Sequence, residues 1–159
     1  MWKGHREVCE WLVAPRTSHS DDNGSSGGGG GGGCRFDATN DFGCNAIQWC
    51  AQTGDLPMCK WLKQIGLNLG LTNRNGHSAI HKAAVKGQAE ICEWLLKPSC
   101  NEDGREDEGG GAGLGLQHLE KDGDGNDPSE MARLEGFGTL AAWLRTETDA
   151  RRAALDGGA

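Results

Sequence analysis

Apolar and polar positions along the chain repeat with an offset of 33 residues. Gly43-Cys44-Asn45-Ala46-Ile47-Gln48-Trp49-Cys50-Ala51-Gln52-Thr53-Gly54 aligns with Gly76-His77-Ser78-Ala79-Ile80-His81-Lys82-Ala83-Ala84-Val85-Lys86-Gly87. The match continues through Met58-Cys59-Lys60-Trp61-Leu62 and Ile91-Cys92-Glu93-Trp94-Leu95. Partial copies flank this pair: Gly4 to Leu12 matches the second half, and Gly125 to Ala132 with Gly136 to Leu144 matches both halves. Trp11, Trp61, Trp94 and Trp143, four of the six Trp, fall at one repeat position. A fixed period of this length is the signature of a stacked repeat architecture.

Each unit predicts two short helices. The first begins at a short polar residue suited to an N-cap (Asn45, Ser78 or Asp127). Ala46, Ala79 or Pro128 follows, and proline fits a first helical turn because its missing N–H has no partner there. Small residues (Cys50-Ala51, Ala83-Ala84, Ala132) let a neighbouring helix approach, and Gly54, Gly87 and Gly136 stop the helix. The second helix is amphipathic, with Met58, Leu62 and Ile65 in one copy and Ile91, Leu95 and Leu96 in the next. A turn-rich stretch, Thr72-Asn73-Arg74-Asn75-Gly76, then leads to the next unit.

Composition separates two inserts from these units. Gly takes 27 of 159 positions, well above a usual share of about 7%. Seven consecutive Gly, Gly27 to Gly33, close the insert at 15–33, and a second insert at 98–113 mixes acids with Gly. Neither holds enough apolar surface to offset the entropy of ordering, so both are expected to be flexible. The formal net charge is −7. Residues 101–130 hold ten acids against Arg105 and Lys121, so the rest of the chain is nearly neutral. That balance argues against a nucleic-acid partner, which needs a basic face. No apolar run is long enough to span a bilayer. The start of the chain lacks the apolar stretch of a secretory signal, and its seven Cys include no CxxC pair. A reducing compartment, cytoplasmic or nuclear, is expected.

The unit resembles the ankyrin repeat. Ser78-Ala79-Ile80-His81 stands at the family's TPLH position; Asn45-Ala46-Ile47-Gln48 and Asp127-Pro128-Ser129-Glu130 are looser versions. Gly4-His5-Arg6-Glu7-Val8 fits the family's GHxEhV turn. The resemblance implies an all-α solenoid of stacked helix-turn-helix units with β-turn fingers, interrupted by two disordered Gly-rich insertions. Its expected parts are a partial first repeat at 1–14 (second helix only), an insert at 15–33, and repeats two and three at 34–97. A second insert at 98–113, repeat four at 114–146 and a polar cap and tail at 147–159 complete it. The chain starts in mid-unit, with Trp2 and Lys3 where the first helix should end. Either a longer array has been cut or the half-unit frays, because a repeat needs neighbours on both sides.

The chemical candidates have plain structural readings. Cys9, Cys59 and Cys92 occupy the position where the family places a buried Val, and free Cys serves there as a small hydrophobe. His77 and His81 are four apart, but His77 precedes the helix and no second ligand pair lies at a local spacing, so no metal is expected. In the family the TPLH His ties down its turn by hydrogen bonds, which is the role expected of His81. Asp122-Gly123-Asp124-Gly125-Asn126 starts like a calcium loop but has Asp127 at the sixth place and Arg133 at the twelfth. The GxGxxG matches lie inside the oligo-Gly run, and GxSxG, P-loop and HExxH motifs are missing. No cofactor and no catalysis are expected.

A stacked array offers an extended, slightly concave surface. The family's exposed positions, finger tips and the first-helix face, make the candidate site Asp41, Phe42, Trp49, Gln52, Arg74, Asn75, Lys82, Val85 and Lys86. Trp49 is either core between units or a binding anchor, and both readings stay open. Arg74 and Lys86 can equally be plain solvated charge. The expectation is a monomeric, non-catalytic module binding a protein or peptide of acidic and apolar character. Two rivals stand beside it: a regulatory or targeting piece of a larger enzyme or ubiquitin-ligase subunit, and a weak Ca²⁺-responsive protein using residues 101–130.

Overall fold

The computed structural model describes residue 35, residues 37–99 and residues 110–157. Among these residues six α-helices follow in order: α1 (Ala46–Thr53), α2 (Leu56–Gln64), α3 (Ala79–Val85), α4 (Ala89–Leu96), α5 (Pro128–Leu134) and α6 (Gly138–Asp156). A short 3₁₀ turn, Leu116–His118, precedes α5, and no strand occurs among the described residues. The expected partial repeat at 1–14 and the insert at 15–33 lie outside the described residues. So do Cys9 and Trp11.

The helix pairs form where the small and turn-making residues predict them. Gly54, Gly87 and Gly136 take left-handed backbone angles (φ 81°, 68° and 89°) between the two helices of each pair. The turn glycines also leave room for the following unit. A Cβ on Gly54 would meet the Gln88 side chain, and one on Gly87 would lie 2.5 Å from the Phe137 ring. Gln88 and Phe137 are the residues just before α4 and α6.

The stack runs through the first helix of each pair: α1 packs on α3, and α3 on α5. Ile47, Ala51, Ile80, Ala83, Ala84 and Ala132 are fully buried along this line. The alanines keep the helix axes close, so bulk there would force the layers apart. Each second helix covers the other side of the core. Trp61 and Trp94 are buried on α2 and α4, and Trp143 on α6 is half-buried against the same core. The periodic Trp therefore marks packing of the second helices.

Polar side chains at the first-helix N-terminus join one unit to the next. Gln48 Nε2 donates to the carbonyls of Leu71 (2.8 Å) and His77 (3.0 Å). One unit on, His81 Nε2 donates to the Glu120 carbonyl (3.1 Å), while its Nδ1 accepts from Ser78 N–H (3.2 Å). His81 thus ties down its turn, as the resemblance implies. Of the three expected N-caps, Asp127 accepts from Glu130 N–H (3.0 Å). Ser78 forms a capping box with His81, and its Oγ also bonds the His118 carbonyl (3.1 Å), while Asn45 Nδ2 instead donates to the Asn68 carbonyl (2.8 Å). The Asn68 carbonyl sits in a loop and that of His118 at the end of the 3₁₀ turn, places without a helical donor, so the two side chains serve them.

The ends of the second insert are held rather than loose. Gly111, Ala112, Gly113 and Leu114 N–H donate to the carbonyls of Pro98, Trp94, Lys97 and Leu95. Gly111 is required at its place, since a Cβ would lie 2.1 Å from the Lys97 carbonyl oxygen. The flexibility expected across 98–113 therefore stops short of both ends, and 100–109 lies outside the described residues.

The last helix continues without a break through the expected boundary at 146 and reaches Asp156. Arg151 docks this extension. Its guanidinium donates to the carbonyls of Leu96 (2.7 Å) and Leu114 (3.2 Å) and to Glu147 Oε1 (2.8 Å). Leu96 ends α4, so Arg151 satisfies a helix C-terminal carbonyl. Arg151→Ala is expected to lower stability by about 2 kcal/mol, the scale of charge-assisted bonds lost at a half-buried place. Urea unfolding checks it, and an unchanged midpoint would show that the extension is not docked.

Candidate functional site

Three finger turns line one edge of the stack, and all are built alike. Asn40 Oδ1 accepts from Phe42 and Cys44 N–H, Asn73 Oδ1 from Asn75 and His77 N–H, and Asp122 Oδ1 from Asp124 and Asn126 N–H, all at 2.9–3.0 Å. Gly43, Gly76 and Gly125 close these turns at φ 78°, 81° and 86°. Neighbouring fingers are bonded together: Arg74 N–H donates to the Phe42 carbonyl (3.0 Å) and Gly123 N–H to the Asn75 carbonyl (2.7 Å). The fingers form a continuous edge.

The exposed face of the first helices carries two rows. Trp49, Lys82 and Met131 form one, and Gln52, Val85 and Leu134 the other, by equivalent positions on α1, α3 and α5. Trp49 is 51% exposed and Phe42, at its finger tip, 72%. Trp49 is therefore surface and not core between units. Gln52, Lys82 and Val85 are half-buried, while Asp41, Arg74 and Lys86 are exposed. Among the described residues, Arg74, Lys82 and Lys86 form no ion pair. Asn75 is engaged inside the molecule, donating to Asp124 Oδ2 at 2.8 Å. Leu134, 61% exposed, and half-buried Met131 extend the apolar row beyond the residues chosen from sequence. Their hydropathy and register were visible there; their exposure depended on which side of α5 packs on α3.

The chemical candidates fall into structural places. Cys59 and Cys92 are fully buried. Burial pushes both thiols up, Cys92 to about 12, so neither offers a thiolate at neutral pH. The rings of His77 and His81 lie 5.6 Å apart, but both nitrogens of His81 are taken by Ser78 and Glu120. Asp122 shapes its finger and Asp127 caps α5, which accounts for two carboxylates of the calcium-like stretch. Burial opposes ionisation of Asp122, but the N–H donors of Asn126 and Asp124 and the His77 ring hold its pKa below the usual carboxylate value.

A family model described as ankyrin repeats, in three copies, matches residues 1–105. The chain belongs to the ankyrin-repeat family. No curated protein matches it. Ankyrin repeats are in general protein–protein interaction modules, and domains built of them are typically non-catalytic. Among the described residues no helix is long and apolar enough to cross a membrane. The helices α5 and α6 lie beyond the matched residues, yet they stack on the ankyrin units in the same register.

One of the ankyrin positions carries a pH response. Burial, with a smaller contribution from His77, lowers the His81 pKa from 6.5 to about 4, and Asp122 and Asp127 only partly offset this. Folded His81 is thus neutral where the unfolded chain already binds a proton. The stability is fully present above pH 6.5 and is lost as pH falls from 6.5 toward 4. The loss amounts to about 3 kcal/mol from this group, and burial of His118 acts in the same direction. His81→Gln, which copies Gln48 one unit earlier, is expected to flatten most of this slope. Denaturation midpoints across that range measure it; an equally steep slope in the variant would assign the response elsewhere.

Proposed function

We propose that the finger and first-helix face captures a protein or peptide segment carrying apolar and acidic side chains. The observation that carries this reading is the exposure of Trp49. A large indole stands half in solvent on a helix whose opposite face is fully packed. Binding energy concentrates in such aromatic anchors. Phe42 adds a second apolar contact at the finger edge, and Val85, Met131 and Leu134 continue the surface along α3 and α5. Arg74, Lys82 and Lys86, without acidic partners among the described residues, supply the charge that selects acidic groups.

The role proposed is non-catalytic, in a monomer, with residues 114–146 acting as a fourth repeat that lengthens the face. Equivalent finger, turn and N-cap residues in that stretch support its reading as a repeat (Asp122, Gly125, Asp127, Gly136). Cytoplasm or nucleus suits a chain whose buried Cys59 and Cys92 act as reduced core residues.

Trp49→Ala should leave helical content and unfolding midpoint nearly intact, because the indole is not enclosed. It should weaken capture of the partner by at least about 2 kcal/mol, the size of an anchor residue's contribution. Circular dichroism and binding isotherms against a partner recovered with the intact chain measure both. Full binding by the variant would remove the indole from the site; loss of folding would return it to the core.

A further inference from the structure

Three side chains that can ligate a metal converge where the second and third of these fingers meet. His77 Nε2 lies 2.8 Å from Asp122 Oδ2, and Asp124 stands beside them. One ligand atom from each falls within 4.8 Å of the other two. Asn75 Nδ2 sits among them, 2.8 Å from Asp124 Oδ2 and 3.3 Å from His77 Nε2.

With Nε2 protonated, His77 donates to Asp122 Oδ2 while the Asn75 amide donates to Asp124 Oδ2, and the 3.3 Å approach of the two nitrogens carries no hydrogen bond. A cation would take the imidazole lone pair and both carboxylates at once, and would free the Asn75 amide to turn.

We propose that His77, Asp122 and Asp124 form a binding site for a divalent transition ion of the Zn²⁺ type, joining two fingers. Asp122 is set for this role. Its Oδ1 is held by two backbone N–H groups, which leaves Oδ2 directed at His77. Its side chain is 1% exposed and that of His77 15%, while Asp124 is exposed and held by Asn75. Small side-chain rotations bring the three donors to Zn²⁺ distances of about 2.0–2.2 Å. One imidazole with two carboxylates suits a borderline ion and falls short of the six to eight oxygens that Ca²⁺ takes. The remaining coordination position opens to solvent beside Asp124. Bound there, the ion bridges fingers whose ligands are 45 residues apart and stiffens the edge next to Arg74.

The test uses the intact chain, reduced and stripped of metal, titrated with Zn²⁺ by calorimetry. Side-chain nitrogen NMR of the histidines is followed in parallel, because thiols elsewhere in the chain can also take Zn²⁺. The expected result is a binding event that shifts the His77 imidazole signals and raises the melting temperature. Asp124→Asn keeps shape at an exposed position and should weaken that event about tenfold or more, as His77→Gln should. Circular dichroism confirms that each variant is folded. Zn²⁺ in large excess that leaves the His77 signals unmoved overturns the inference. So does an Asp124→Asn variant that binds at His77 as tightly as the parent.

Discussion

The stack depends on two loop carbonyls that have no helical or sheet partner. Those of Leu71 and Glu120 sit where the chain leaves a second helix and enters the next finger. A buried carbonyl without a donor costs on the order of 1–3 kcal/mol. Gln48 and His81, each in the first turn of the preceding unit's first helix, supply the donors. One bond therefore satisfies a loop and fixes the spacing between layers. The two residues differ in how completely they do this. His81 uses both ring nitrogens, whereas Gln48 Oε1 and the nearby Asn45 Oδ1 are buried without a partner. Among the described residues the third in the series, Glu130, bonds to no such loop. It pairs with Arg133 on the surface, at 2.6 Å.

Close layer spacing has a consequence for the outer face. Alanines at Ala51, Ala83 and Ala132 bring α1, α3 and α5 together, and their opposite sides then align into rows. A half-buried lysine and a half-exposed indole become neighbours in register because the helices beneath them are. The family's general role as an interaction module and the chemistry of this particular face meet at that point. The core sets a rigid spacing, and the residues it does not consume define what can dock.

The finger edge follows the same economy. Asn40, Asn73 and Asp122 each close a turn through one side-chain oxygen. Asn and Asp do this equally well as acceptors, but Asp adds a charge and a second free oxygen. That single difference places a carboxylate against His77 and turns a structural repeat into a site with coordination chemistry of its own.

Periodicity was enough to identify the repeat, the helix pairs and the turn glycines, because each depends on local spacing within about a dozen residues; the rows of candidate contact residues came from what the family resemblance implies. The buried character of Cys59 and Cys92 is what the family resemblance implies for their position. Other properties required the folded chain. Whether Trp49 was core or surface turned on which side of α1 the neighbouring unit occupies, and local pattern is the same in both cases. The pinned ends of the second insert depend on carbonyls of α4, and the run of α6 past residue 146 on Arg151 reaching Leu96, 55 residues away. His77 and Asp122 carry no shared motif; stacking of two fingers across an insert is what brings them within 2.8 Å. Sequence determined what each unit is, since a helix and its turn are local. Tertiary structure decided what the units do to one another, since those contacts join residues that no short-range pattern relates.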